Sequence, residues 1–510
     1  MQLLALFKPA AHKSLLPEAE QNSKFPALRW QILEATFLGY TFYYFTRNNF
    51  QIISKEAGLE LGYDKGDIGL ILMATSLAYA VGKFVLGALS DKSNPRMFMP
   101  AGLLLSAACN FAFGASSNFW VHVVLWTLNG FVQGAGWPPC GRSLGHWYSK
   151  EERGTVFGFW NIAHNMGGAL IGVIAAASAA HWGWRSAFYV PGVIAVISAA
   201  YLMYRLRDTP QSVGIRSIEE FPILSNQKYL VLLIASILAI NGIAIPLCIA
   251  LLPPNDLPGA ISILNLFLVP TAFWIIGRLR GNRAYAPVQE RVKIVNTNQT
   301  ESHSDREQEL SFKKLLIDHV LTNRIIWTFA LANFFVYIVR YSLVDWGPTY
   351  LKEAKQASIQ SGGISTFVFE GAAIASTLLI GWISDKAEGR RGMVSLLCMI
   401  PILAAMGGMI LMPPGYLWAH ITLFGVVGFF VYPPVMLLGV AGLDFTSKKA
   451  VGAAAGFIGF WGYLGKAFQS AILGRLAESN GWTAVLIFIA IAVVLSIATL
   501  ALTWKLKPAE

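Results

Sequence analysis

The sequence predicts an all-α polytopic membrane protein. Two pseudo-symmetric six-helix bundles are joined through an extra two-helix hairpin, making about 14 transmembrane helices. Three observations carry this expectation. The 510-residue chain is 55% hydrophobic and 13% charged, with a mean hydropathy of +0.53, whereas a soluble domain averages about 25% charged residues. Apolar runs recur at the roughly 20-residue length that crosses a bilayer. Motifs of the first half also return in the second.

In chain order, the apolar runs predict spans over 31–53, 67–89, 97–117, 120–147, 154–180 and 184–206. Two more follow at 229–252 and 259–277, and then six at 325–350, 361–384, 392–412, 414–443, 451–477 and 481–505. The expected organisation is an N-terminal segment 1–30, a first bundle 31–210, a central region 211–324 carrying the hairpin (229–277) and a basic loop, a second bundle 325–505 and a tail 506–510. "MQLLALFKPAAHKSLLPEAEQ" lacks a long apolar core and a small-residue cleavage site, so the first span is expected to act as its own insertion signal.

Loop charge gives an expected orientation. Lys8, Lys13, Lys24 and Arg29 precede the first span. Lys92, Arg96, Lys150, Arg153, Arg205 and Arg207 flank later connections on the same side, as do Lys386, Arg390 and Arg391. The connection "LPPNDLPG" has no Lys or Arg. Both termini are therefore expected in the cytoplasm. This distribution accounts for the net charge of +11 without a nucleic-acid partner. The sequon Asn298-Gln299-Thr300 falls in the basic loop, away from glycosylating enzymes. Cys109, Cys140, Cys248 and Cys398 all lie in apolar segments, and none suggests a disulfide framework or a metal site.

The repeat is visible in three places. "GALSDKSNPR" (87–96) returns as "GWISDKAEGRR" (381–391), "KEERGTVFGFWNIAHNMGG" (150–168) as "KKAVGAAAGFIGFWGYLGK" (448–466), and Arg47 as Arg340 in "YIVRYS". Parallel repeats about an axis along the membrane normal mark a rocking transporter with its binding site at the midplane.

That symmetry places Arg47 and Arg340 across one central cavity. An intramembrane arginine costs at least ~3 kcal/mol on insertion scales and is functional by default. Two planar guanidiniums make a clamp for a tetrahedral oxyanion, and a phosphate monoester carries about −1.5 to −2 charges. The bland alternative pairs each arginine with a carboxylate. Glu34, Asp345, Glu370 and Asp444 are the candidates, and only Glu370 reads as mid-membrane. Two readings stand for Lys83: guiding anions or pairing with a carboxylate. His164, with Asn161 three residues before it, is read as a ligand contact against the alternative of a satisfied core histidine. Tyr40 and Tyr44 share the Arg47 face of their helix. Tyr337 stands three residues before Arg340, and Tyr79, Tyr432 and Tyr463 are further deep tyrosines. Lys466 shares a face with Tyr463 and is expected to pair with Glu370, with a substrate contact as the alternative. Glu370, Lys466 and Asn161 are thus cavity or gating candidates. No triad, P-loop or metal-ligand spacing is present, so neither an enzyme nor a cofactor is expected. Gradient or exchange is the expected energy source.

These residues match a known pattern. "GxxSDK" in both halves resembles the major facilitator superfamily signature. "RWQILEATFLGYTFYYFTRNNF", "QGAGWPPCGRSLGHWYSKEERG", "WNIAHNMGG", "RDTPQSVG", "VYIVRYSLVDWGPTYLKE" and "KKAVGAAAGFIGFWGYLG" resemble the organophosphate:phosphate antiporters, nearest to their glycerol-3-phosphate branch. The resemblance implies rocker-switch exchange of an organophosphate for inorganic phosphate in a bacterial inner membrane. It implies two phosphate-binding arginines at Arg47 and Arg340, a binding lysine at Lys83 and a cavity histidine at His164. The cavity tyrosines would be Tyr40, Tyr44, Tyr79, Tyr337, Tyr432 and Tyr463. A monomer in the lipid bilayer is expected, with the hairpin as a possible partner contact. The hexose-phosphate branch carries an Asp and a Lys where this chain has Ala455 and Ile458, which favours glycerol-3-phosphate. Lys466 stands where the glycerol-3-phosphate branch has glycine, and it keeps a sugar phosphate open as the alternative. A non-transporting sensor of a phosphate ester is the further alternative.

Overall fold

The computed structural model of the chain describes residues 6–149, 156–218, 232–233, 236, 264, 268–273, 275–276, 320–387, 390–413, 415–445 and 451–506. The first half comprises α1 (Glu18–Phe45), α2 (Phe50–Leu61), α3 (Lys65–Asp91), α4 (Pro95–Ala115), α5 (Phe119–Gln133), α6 (Trp137–Trp147), α7 (Ile162–Trp182) and α8 (Ser186–Arg205). The second comprises α9 (Arg324–Ala354), α10 (Ile359–Lys386), α11 (Arg391–Leu411), α12 (Leu417–Asp444) and α13 (Val451–Ala501). Among the described residues, 8 helices are long and apolar enough to cross a membrane.

Several expected spans are interrupted. The first is two helices, α1 and α2, parted at 46–49, so Arg47 sits in a break and not mid-helix. Arg340 lies inside the unbroken α9, so the two arginines are related by the repeat but differ in backbone. The fourth span is also split, into α5 and α6. Prolines at the start of α6 lack the N–H that would continue the preceding helix. The final two spans form one long run, kinked where Gly481 adopts φ 75°, a left-handed conformation that glycine takes without steric cost. The expected N-terminal segment 1–30 is already helical from Glu18. Before it, the Lys13 and Leu16 amides donate to the Gln211 and Gly214 carbonyls at 3.0 and 2.8 Å.

Most of the expected hairpin and the basic loop up to residue 319 lie outside the described residues. The described part docks on the first half. The Trp30 indole donates to the Phe273 carbonyl at 2.7 Å, and the Phe273 ring, fully buried, packs on Trp30, Phe37 and Phe159.

The halves meet where α3 packs on α13 and α7 on α10. Small residues let the backbones touch. A Cβ added at Gly69 would lie 2.5 Å from the Ser470 carbonyl oxygen, and one at Gly474 would collide with the Lys65 carbonyl. Gly363 meets the Gly172 carbonyl in the same way. Without a hydrophobic drive between helices in lipid, such close crossings are a main source of association. Polar ties lie at the same face, opposite the chain ends. Lys352 reaches Glu56 at 2.7 Å, Lys65 reaches Glu353 and Glu478 at 3.3 and 3.1 Å, and Ser54 meets Thr349 at 3.1 Å. This structure is closed at that face.

Candidate functional site

The break at 46–49 frees backbone groups that lipid cannot satisfy, and side chains of α4 and α5 take them up. Asn110 and Asn129 each donate to the Thr46 carbonyl, at 3.0 and 2.9 Å. Gln133 donates to the Thr46 and Ser106 hydroxyls at 3.0 and 2.8 Å. Asn49 donates to the Asn110 side chain and to the Ala187 carbonyl, both at 2.8 Å. The backbone on both sides of Arg47 is thereby pinned, and its guanidinium projects from a fixed point.

That guanidinium lies 4.0 Å from the centre of the Tyr79 ring and 5.2 Å from that of Tyr44. Arg340 lies 4.1 Å from the Tyr432 ring and 4.8 Å from Tyr341, and donates to the Tyr432 hydroxyl at 3.0 Å. The contacts close into a circuit. From Tyr44, His164 is 5.9 Å away, and from His164, Tyr432 is 5.8 Å. On the other side Tyr79 meets Tyr463 at 4.8 Å, and Tyr463 meets Tyr341 at 6.3 Å. Arg47, Tyr44, His164, Tyr432, Arg340, Tyr341, Tyr463 and Tyr79 thus form one ring drawn from both halves. Each guanidinium is held against aromatic faces, contacts worth about 2 kcal/mol when desolvated.

Among the described residues, neither arginine has a carboxylate within 4.0 Å. The buried acids have other direct partners, and for Glu370 these include the hydroxyl of ring member Tyr432. Glu34 takes bonds from Arg205 at 2.6 Å and Tyr201 at 2.5 Å. Glu370 accepts from Asn165 at 3.0 Å. Asp345, expected away from the midplane, is instead 1% exposed and stands 3.8 Å from Lys466. The expected Lys466–Glu370 pair is therefore replaced by Lys466–Asp345. The reason is packing: α9 runs along α13 and brings Asp345 beside Lys466, while Glu370 on α10 is taken by α7.

The remaining candidates sort around the circuit. Lys83 lies 5.5 Å from the Trp137 ring and 5.9 Å from that of Tyr463, beside the ring and not in it. Tyr337 packs on Tyr341 and Tyr463 at 5.4 Å each. Tyr40 stacks on Trp160 at 5.0 Å and touches Tyr44 at 5.5 Å, forming a second layer. Asn161 caps α7 without a side-chain cap bond and is not a member of the circuit. Sequence reasoning missed Tyr341, Asn165 and Asp345 as site neighbours. Tyr341 adjoins Arg340, and helical-face logic sends neighbours in sequence apart, but the long arginine side chain folds back over the ring.

A family model described as Major Facilitator Superfamily matches residues 36–295 and 259–470. The chain belongs to the Major Facilitator Superfamily. Within this superfamily it is 35% identical to the "Glycerol-3-phosphate transporter" of Bacillus subtilis (strain 168), covering 99% of this chain and 98% of that one. It is 32% identical to the "Probable hexose phosphate transport protein" of Chlamydia trachomatis serovar D, over 98% of this chain and 96% of that one. Among solved structures, a bacterial homologue of the human lysosomal transporter Spinster, inward-facing and unoccupied, superposes with a TM-score of 0.65 at 13% identity, covering 94% of this chain and 97% of that one. That likeness gives the Major Facilitator fold alone.

Proposed function

We propose that this chain is a secondary transporter that exchanges an organophosphate, first of all glycerol-3-phosphate, for inorganic phosphate by alternating access. The observation that carries the reading is the ring: two buried arginines from symmetry-related helices, neither bound to a carboxylate, face a shared set of hydroxyl and imidazole groups. Arg47 and Arg340 clamp the phosphoryl oxygens as bidentate donors. The tyrosine hydroxyls and His164 supply further hydrogen bonds, and Lys83 adds positive potential that draws the anion inward. The face bearing the chain ends is cytoplasmic in this reading, the membrane is a bacterial inner membrane, and the working unit is a monomer. No covalent chemistry is involved, since the anion moves as the two halves rock about it.

The second reading is a hexose phosphate as the organic substrate. It is supported by Lys466, which adds a cation on α13 beside Tyr341, and by the similarity to a relative named for hexose phosphate. Phosphate counterflow from loaded proteoliposomes, competed with glycerol-3-phosphate and glucose-6-phosphate, tests both. Efflux driven by either ester supports exchange and ranks the two. Binding without counterflow identifies a sensor.

A further inference from the structure

Six charged side chains of the described residues lie in or beside the ring: Arg47, Lys83, Arg340 and Lys466 against Asp345 and Glu370. Four cations facing two carboxylates leave a formal charge of +2. Lys466 decides that value, because without it the same site holds +1. Its geometry is not that of a structural ion pair. The ammonium is 3.8 Å from the nearer Asp345 oxygen, beyond hydrogen-bond length, and that oxygen has no hydrogen-bond partner. The other Asp345 oxygen is held from behind by Gln469 at 2.9 Å and Ser470 at 3.5 Å. Lys466 itself lies 4.3 Å from the Tyr341 ring and lines a small cavity together with Arg47. Its donors thus stay available on the same side as the arginine fork.

We infer that Lys466 and Asp345 set the charge of the binding site and thereby select ligands by valence, matching it to dianionic phosphate monoesters. This rests on the phosphate clamp proposed above. A site of +2 is neutralised by a dianion. A monoanion leaves one cation uncompensated in a low-dielectric cavity, and a trianion leaves one excess negative charge. Both mismatches are costly where screening is weak.

The test uses purified full-length protein in detergent at pH 8, with bound radiolabelled inorganic phosphate displaced by three competitors of differing charge. Glycerol-3-phosphate is the dianion, glycerol-3-sulfate its monoanionic tetrahedral counterpart, and 3-phosphoglycerate the trianion. Wild type should prefer the dianion. Lys466→Gln should move the dianion-to-monoanion ratio about tenfold toward the monoanion, or about 1.4 kcal/mol. Asp345→Asn should move the dianion-to-trianion ratio about tenfold toward the trianion. The double variant Lys466→Gln/Asp345→Asn restores the count and should restore the wild-type ranking, while Lys466→Arg should keep it throughout. A purely structural pair predicts changes in yield or Tm with no change in ranking by charge. Ratios that stay within twofold of wild type in both single variants would overturn the inference, as would Lys466→Arg behaving like Lys466→Gln. Phosphate binding without counterflow in liposomes leaves this inference standing and removes the transport reading. No phosphate binding by wild type removes both.

Discussion

Lys352 of α9 donates to the Glu56 carboxylate at 2.7 Å and to the Ile52 carbonyl at 2.8 Å. One ammonium of the second half is thus bolted to the first two turns of α2 in the first half. It is also buried, so water does not screen the tie fully. Lys65 makes the reciprocal link from the first half, to Glu353 and Glu478. Rocking to the opposite state must break these ties. Lys352→Met removes a charge-assisted contact worth ~1.5–3 kcal/mol. The population open at this face should rise at least about tenfold. Spin-label distances between Leu59 and Gln356 in liposomes report it, and an unchanged distribution refutes the latch.

Arg47→Lys and Arg340→Lys should each lower phosphate counterflow by at least ~100-fold while the protein still inserts and elutes as a monodisperse species. Lysine keeps the charge but loses the planar fork, and small misplacements at a reacting or binding centre cost about this much. Arg340→Lys also loses the bond to the Tyr432 hydroxyl. Wild-type exchange in either variant would sink the clamp.

His164 sits between Tyr44 of the first half and Tyr432 of the second. His164→Phe preserves a flat ring there but removes both nitrogens. Phosphate affinity should fall about tenfold, the worth of one hydrogen bond to a charged group at ~1.5 kcal/mol. Competition binding measures it. If His164→Phe binds normally and only His164→Ala is impaired, the histidine is packing and not a ligand.

Phe273 is fully buried against Trp30, Phe37 and Phe159. Phe273→Ala opens a cavity, and large-to-small changes of this kind cost ~3–5 kcal/mol. A lower Tm by size-exclusion thermostability, with counterflow by the surviving protein retained, is the expected result. Loss of exchange at full thermal stability would instead place the hairpin in the transport path.

The all-helical, membrane-crossing character was legible because hydropathy reports it directly. The break at 46–49 was not, since an average over about 20 residues does not see a local change of backbone. A signal for it did exist. Ser106 and Asn110, and likewise Asn129 and Gln133, stand four apart on apolar helices, which puts each pair on one face. Polar pairs facing a common direction inside a membrane require a polar partner, and Thr46 is that partner, through its carbonyl for Asn110 and Asn129 and its hydroxyl for Ser106 and Gln133. The neighbour of Lys466 was misread for a different reason. Periodicity gives the face a residue occupies, and the helix opposite that face follows only from packing. Here α9 lies along α13, so Asp345 and not Glu370 comes within reach. Of the ring's tyrosines, Tyr44, Tyr79, Tyr432 and Tyr463 were legible and Tyr341 was not, because closure of the ring depends on side-chain reach across both halves.

The glycine crossings that join α3 to α13 and α7 to α10 bear on a hazard every carrier faces. A protein holding strong cations at mid-membrane is one thread of water away from becoming an ion leak. Where the Gly69 backbone lies on Ser470, and Gly363 on Gly172, the two backbones are in direct contact and leave no room between them for such a thread. Opening these crossings requires the helices themselves to part, since backbone meets backbone there. A loaded cycle therefore need not short-circuit the voltage across the membrane in which it runs.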